Sequence, residues 1–161
     1  MAHQRIGLYL HMLPTARQAR KVVWDAITKQ GERLIDQAFP VELRDGDANN
    51  TDMKIKLRCG SIYQVVGSDN YDSLVGTNPV GVIFSEYALS DPAAWNYIRP
   101  ILRENDGVAI FISTPRGQNH FYEMCEMAKR NDSWFYSFKT YRETGVVSDQ
   151  DIQEERDSWD R

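Results

Sequence analysis

Two short apolar segments each end in residues that could do chemistry on a phosphate group. Residues 81–84 (GVIF) lead into Ser85–Glu86, and residues 108–112 (VAIFI) lead into Ser113–Pro115. Buried parallel strands read as continuous apolar runs, and they deliver functional side chains at their carboxyl ends. The two patterns therefore predict neighbouring strands whose ends serve one site.

The first strand end offers one carboxylate and one hydroxyl. A Glu86 carboxylate can orient and polarise a water for attack on a phosphoryl group; alternatively, Glu86 begins a loop and faces solvent. Nucleotide-hydrolysing P-loop proteins usually have an aspartate at the position of Ser85, which helps to hold magnesium. A serine carries no charge to offset that cation, and the alternative is a plain strand-terminal serine.

The second strand end offers two hydroxyls. Ser113 and Thr114 could bond a γ-phosphate or its attacking water, and Pro115 fixes the backbone as it leaves the sheet. The alternative is an ordinary turn from strand to helix. Ser-Thr-Pro is a short motif, and it gains weight from Glu86 one strand earlier.

A third cluster opens the first helix. Thr15 is a good N-cap, and Arg17, Arg20 and Lys21 follow it. Three basic side chains at a helix N-terminus could contact phosphates. The alternative is a capped amphipathic helix with a solvated basic face.

Composition limits the class of protein. The 161 residues carry a net charge of −4, so any contact with DNA must come from a local patch. No apolar run approaches the roughly 20 residues that span a bilayer, and no signal peptide is recognisable, so we expect no membrane partner. Cys59 and Cys125 indicate reduced thiols in a cytoplasmic protein, and the three histidines lack metal-ligand spacing.

The periodicity predicts an α/β fold, a three-layer sandwich with a mainly parallel sheet. A hairpin over residues 53–66 would add an antiparallel strand. The predicted strands are 6–13, 53–59, 61–66, 81–84, 108–112 and 134–139, and the predicted helices are 16–29, 93–104, 119–130 and a charged terminal helix that runs to Arg161.

Three stretches carry a resemblance to a known family. These are LPTARQARKVVWDAI, VGSDNYDSLVGTNPVGVIFSEYALSDPAAW and AIFISTPRGQNHFYEM. In this order they strongly resemble the large subunit of tailed-phage terminases, the viral DNA-packaging motors. The resemblance runs from about Gly7 to Ile152. It implies a helicase-type, P-loop NTPase-like ATPase domain, followed in the family by a nuclease domain.

The resemblance also implies roles for individual residues. Glu86 would be the catalytic glutamate of the Walker B strand, and Ser85 would stand at the magnesium position, where the family has aspartate. Ser113–Pro115 would form the coupling motif, which links hydrolysis to DNA movement. Pro14, Thr15 and Gln18 would lie in a segment that touches the nucleic-acid backbone in helicases. Together with the basic helix start, this makes Thr15, Arg17, Gln18, Arg20 and Lys21 possible contacts to the DNA backbone.

The family would bind ATP and Mg²⁺ through a Walker A loop, but no Gly-Lys-Ser/Thr occurs in these residues. We therefore expect residues 1–152 to be a partial ATPase domain that lacks the Walker A strand and loop. We expect it to be inactive alone and to bind neither ATP nor Mg²⁺ tightly. Residues 153–161 would be a charged helix or the start of a linker to a nuclease domain.

In its intact form, such a protein would couple ATP hydrolysis to translocation of double-stranded DNA into a procapsid. Its partners would be DNA, the portal and the terminase small subunit, with a possible homo-oligomer, in the cytoplasm of a bacterial host that carries the phage or prophage. The alternative is a non-catalytic prophage remnant that binds DNA or packaging subunits. A third hypothesis is a metal-dependent nuclease using Glu86 with Asp69, Asp72 and Asp91.

The resemblance carries one expectation for the sheet. In such motors, the strand before the Walker A loop lies beside the strand that ends in the coupling motif. Without it, residues 108–112 would expose an unguarded apolar edge. We expect self-association there, a swapped element, or residues 134–139 pairing as a replacement strand.

Overall fold

A computed structural model describes residues 2–159 of the chain. The chain divides into two compact units, of which the first ends at Tyr122 and the second begins at Glu123. The five strands of the described residues all belong to the first unit. They are β1 (Leu8–Leu13), β2 (Lys54–Lys56), β3 (Ile62–Gly67), β4 (Pro79–Ser85) and β5 (Val108–Ile112).

The strands form one sheet in the order β2-β3-β1-β4-β5. β1 is parallel to both β3 and β4, and β4 is parallel to β5. β2 pairs antiparallel with β3, as the predicted hairpin requires. The α/β fold with a mainly parallel sheet is therefore confirmed.

The helices are mostly short, and the first of them begins at the cap predicted at Thr15. Thr15 Oγ1 accepts a hydrogen bond from the Gln18 backbone at 3.1 Å, and Asp91 Oδ1 accepts one from the Ala93 backbone at 2.8 Å. The helices are α1 (Ala16–Ala19), α2 (Leu34–Ala38), α3 (Pro92–Glu104), α4 (His120–Ala128), α5 (Tyr141–Thr144) and α6 (Asp149–Trp159). The end of the predicted terminal helix, residues 160–161, lies outside the described residues.

The helix predicted over residues 16–29 was wrong in its second half. After Ala19 the backbone widens into a π-helical turn, Arg20–Trp24, which closes with a hydrogen bond from the Asp25 amide to the Arg20 carbonyl at 2.8 Å. The Trp24 side chain is fully buried, and its Nε1 donates to Asn50 Oδ1 at 3.0 Å. This distant contact fixes the end of the helix, and the apolar spacing alone could not reveal it.

The strand predicted over residues 134–139 was also wrong. In the second unit these residues are irregular, and the Phe135 side chain is 91% exposed. An alternating aromatic segment becomes a strand only where a neighbouring strand offers partners for its backbone. Among the described residues of this unit, no strand does so.

The two faces of the sheet are covered differently. On one face, the rings of Phe84 and Phe111 stack at 5.0 Å, and the Trp95 ring of α3 meets both edge-on. On the opposite face, Trp24 and Ile35 cover β1 and β3 in a cluster that includes Leu13, Val23, Ile55 and Val65.

β5 forms one edge of the described sheet, as predicted. Only β4 pairs with it among residues 2–159. Val108, Ile110 and Ile112 share one face of β5, and each is exposed. None of the helices in the described part of the chain is long and apolar enough to cross a membrane.

Candidate active site at the carboxyl edge of the sheet

The register of β4 and β5 brings the two predicted strand ends together. Ser85 pairs with Ile112, so Glu86 and Ser113 leave the sheet side by side at the carboxyl ends of parallel strands. The predicted juxtaposition of Glu86 with the Ser-Thr-Pro segment is therefore confirmed. This edge is where ligands bind in open α/β sheets.

The backbone of Glu86 is strained. Its φ of 56° and ψ of 43° lie in the left-handed region, which costs a side-chain-bearing residue about 1–2 kcal/mol. A 3₁₀ turn over Tyr87–Leu89 begins directly after Glu86, which is half-buried at the end of β4. Such conformations persist where surrounding contacts hold them, and they concentrate at functional sites.

Hydrogen bonds from neighbouring segments hold this turn. The Ala88 amide donates to Ser113 Oγ at 3.1 Å, which ties the turn to the end of β5. His120 Nε2–H donates to the Tyr87 carbonyl at 2.7 Å, and the two rings meet edge-on at 4.8 Å. Burial also raises the pKa of Tyr87 to about 12, so its phenol stays neutral.

Thr114 and Pro115 lie beside this turn, and both are exposed. Sequence analysis gave His120 no role in the site, although its position just after the Ser-Thr-Pro turn was a usable signal.

Ser85 lies in a hydrogen-bonded line with two further side chains. Its Oγ is 2.8 Å from His11 Nε2, and His11 Nδ1 is 2.7 Å from the Tyr63 hydroxyl. Burial lowers the pKa of His11 and raises that of Tyr63. Sequence analysis missed this group, because its members become neighbours only through the strand order β3-β1-β4.

The basic segment is only partly available to a ligand. Arg17 and Lys21 are exposed, whereas the Arg20 guanidinium donates to the backbone carbonyls of Asn50 at 2.8 Å and Thr51 at 3.2 Å. Arg20 therefore anchors the loop before β2. Gln18 is exposed, and its Oε1 accepts from the Thr15 hydroxyl at 3.2 Å.

Two of the carboxylates of the nuclease hypothesis have structural roles. Asp69 Oδ1 accepts a hydrogen bond from the Ala16 amide at 3.0 Å, and Asp91 caps α3. No group of three or more His, Cys, Asp or Glu side chains within residues 2–159 could hold a metal ion. Ser85 offers a neutral hydroxyl that is hydrogen-bonded to an imidazole, and it lacks the carboxylate charge with which proteins usually bind Mg²⁺.

Known proteins share parts of this sequence and this fold. No protein-family model matches the chain. The large terminase subunit of Escherichia phage T5 is 34% identical over 113 residues, which cover 67% of this chain and 26% of the relative.

Two solved structures show the same fold. The large terminase ATPase domain of Thermus phage P74-26 has a TM-score of 0.61 at 22% identity, covering 95% of this chain and 68% of that one. A large terminase from a thermophilic bacteriophage, in complex with ADP, has a TM-score of 0.62 at 17% identity, covering 94% and 37%.

The strand order and parallel register therefore define an α/β domain of the type found in phage terminase ATPase domains. With the sequence match, they confirm the resemblance: the chain is a relative of the large subunit of tailed-phage terminases. It spans about a quarter of the length of the curated relative, which is 26% covered.

Proposed function

We propose that the chain is part of a terminase large-subunit ATPase that couples ATP hydrolysis to the translocation of double-stranded DNA into a procapsid. It would act in the cytoplasm of a bacterial host, encoded by a phage or prophage, with the portal, the terminase small subunit and further copies of itself as partners. One observation carries the proposal: Glu86 and Ser113 emerge together from adjacent parallel strands, and the Ala88 amide bonds Ser113 Oγ across 3.1 Å.

Each residue has a role in this proposal. Glu86 orients the attacking water and accepts its proton, and the hydroxyl of the exposed Thr114 donates a hydrogen bond to a γ-phosphate oxygen. Ser113 positions Glu86, because its oxygen holds the turn that starts at Glu86. A shift of the Ser113–Pro115 segment would move this turn, which gives a physical route between hydrolysis and DNA movement.

The chain alone should not hydrolyse ATP. Walker-type enzymes hold the β- and γ-phosphates with loop amides and a lysine, and no Gly-Lys-Ser/Thr occurs among these residues. We expect turnover well below about 1 per second, the lower end for ordinary enzymes. Turnover above that rate, lost in Glu86→Gln but kept in the exposed control Glu104→Gln, would show that another segment cradles the phosphates.

A second candidate is a non-catalytic module that binds DNA or packaging subunits. The neutral Ser85 at the magnesium position favours it. The codons just upstream of Met1 separate the two: an in-frame Gly-Lys-Ser/Thr motif supports the ATPase, and its absence supports the binding module. If the motif is encoded, Glu86→Gln in that longer product should abolish hydrolysis, and Glu104→Gln should not.

We further propose that Arg17 and Lys21 contact the DNA backbone. Removing two phosphate contacts should reduce the slope of log affinity against log salt by about 1.8 for duplex DNA, alongside a general loss of affinity. The test compares Arg17→Ala/Lys21→Ala with Arg99→Ala/Arg103→Ala, which removes the same charge from exposed positions of α3. Equal losses of affinity in both double variants would show that only the total charge of the chain matters. That result would contradict a local contact at Arg17 and Lys21.

A further inference from the structure

Three side chains from three adjacent strands form one hydrogen-bonded line across the sheet. Tyr63 lies on β3, His11 on β1 and Ser85 at the end of β4. The Tyr63 hydroxyl is 2.7 Å from His11 Nδ1, and His11 Nε2 is 2.8 Å from Ser85 Oγ. The line runs from Tyr63, which is half-buried, to Ser85, the residue before Glu86.

The protons in this line can be assigned from the Tyr63 end. Burial raises the pKa of Tyr63, so the phenol keeps its proton. Within residues 2–159, the Tyr63 oxygen has no hydrogen-bond partner other than His11. A phenol that accepted from His11 would leave its own buried proton without an acceptor, which is the costlier arrangement. Tyr63 therefore donates to His11 Nδ1.

The state of His11 then fixes the role of Ser85. Burial lowers the pKa of His11, so the ring is neutral near pH 7 and carries one proton. With Nδ1 accepting, that proton is on Nε2, which donates to Ser85 Oγ. The Ser85 oxygen thus receives a hydrogen bond, and its own O–H proton is left to donate elsewhere.

We propose that Tyr63 and His11 are positioning residues that fix Ser85 as a hydrogen-bond donor to an anionic phosphate oxygen at the end of β4. The N–H of His11 directs positive charge at the Ser85 oxygen, which disfavours a cation at the same oxygen. Where the family resemblance implies an aspartate that binds a cation, Ser85 would instead bind an anion. The assignment of that anion to phosphate rests on the proposed ATPase function, whereas the proton assignment does not.

The first test is the tautomer of His11 in the 161-residue chain. Nitrogen-15 correlation spectra of the imidazole at pH 7.5 distinguish a proton on Nε2 from a proton on Nδ1. We expect the Nε2–H form. Ser85→Ala should keep that form, because Tyr63 still donates to Nδ1, whereas Tyr63→Phe should yield a mixture of tautomers. An Nδ1–H ring in the unaltered chain would overturn the proposal, whatever the variants do.

The second test identifies the ligand. Inorganic phosphate and, separately, magnesium chloride are titrated into the chain while the His11 Nε2 resonance is followed, with sodium chloride as the ionic-strength control. We expect a saturable shift with phosphate only, and about fivefold weaker apparent binding in Ser85→Ala, the loss of one hydrogen bond. No phosphate-specific shift, or a magnesium shift that Ser85→Ala removes, would contradict the proposal.

The two proposals can fail separately. An Nδ1–H ring would refute the donor role of Ser85 while leaving the ATPase proposal intact. An upstream sequence without a Gly-Lys-Ser/Thr motif would weaken the ATPase proposal while leaving the His11 tautomer as predicted.

Discussion

One face of the sheet is closed over β1 and β3 and open over β5. Trp24 and Ile35 pack on Leu13 and Val65 in the closed half, where all four side chains are buried. In the open half, Ile110 is 40% exposed and Ile112 is 56% exposed. Both halves are built from similar apolar strands, so the strand sequence alone does not decide which half is core. The closed half supplies stability, whereas the open half ends at the candidate site, and His11 lies at the boundary.

The largest expected effect contrasts one residue from each half. Trp24→Ala should destabilise the chain by about 3–5 kcal/mol, because it removes a fully buried side chain and the hydrogen bond to Asn50. Ile110→Ala should cost less than about 1 kcal/mol, since much of its side chain is already exposed. Urea denaturation of both variants measures the difference. Similar losses would show that the open half is also core, covered by association.

The second prediction concerns strain at the site. Glu86→Gly should stabilise the fold by about 1 kcal/mol, because glycine adopts the left-handed backbone of Glu86 without the steric cost. Asp106, with a φ of 47°, is a matched control outside the site, and Asp106→Gly should stabilise similarly. Thermal denaturation compares the two. Destabilisation in Glu86→Gly alone would mean that the Glu86 side chain supports the turn.

The third prediction concerns pH. Burial lowers the pKa of His11 below its ordinary value of 6.5, so the unfolded chain binds the proton more readily than the folded chain does. The stability is intact above pH 6.5 and falls as the pH drops from there towards the folded-state pKa of His11. His11→Gln, which can still accept from Tyr63 and donate to Ser85, should lose less stability between pH 7.5 and 5.5. An identical pH dependence in both proteins would contradict this.

Local patterns predicted much of the fold. The apolar runs of β4 and β5 and the cap at Thr15 depend on nearby residues, and the sequence alone located them. The parallel crossover between the two strands also predicted that Glu86 and Ser113 would be neighbours.

Other features depend on distant partners. The π-helical turn is set by the contact between Trp24 and Asn50, and the aromatic residues 134–139 need a neighbouring strand to become one themselves. His11 and Ser85 lie 74 positions apart in the sequence and meet only because β1 and β4 are adjacent. Neither spacing nor composition carries that information.

The central claim is that the turn at Glu86 and the end of β5 form one site. Native-state hydrogen exchange of the Ala88 amide tests it directly, because this amide donates to Ser113 Oγ at 3.1 Å. Ser113→Ala should speed exchange at Ala88 by about fivefold, the loss of one hydrogen bond of about 1 kcal/mol, whereas Ser113→Thr keeps the hydroxyl and the protection. Unchanged exchange at Ala88 in Ser113→Ala would show that the two strand ends are independent and would contradict the account.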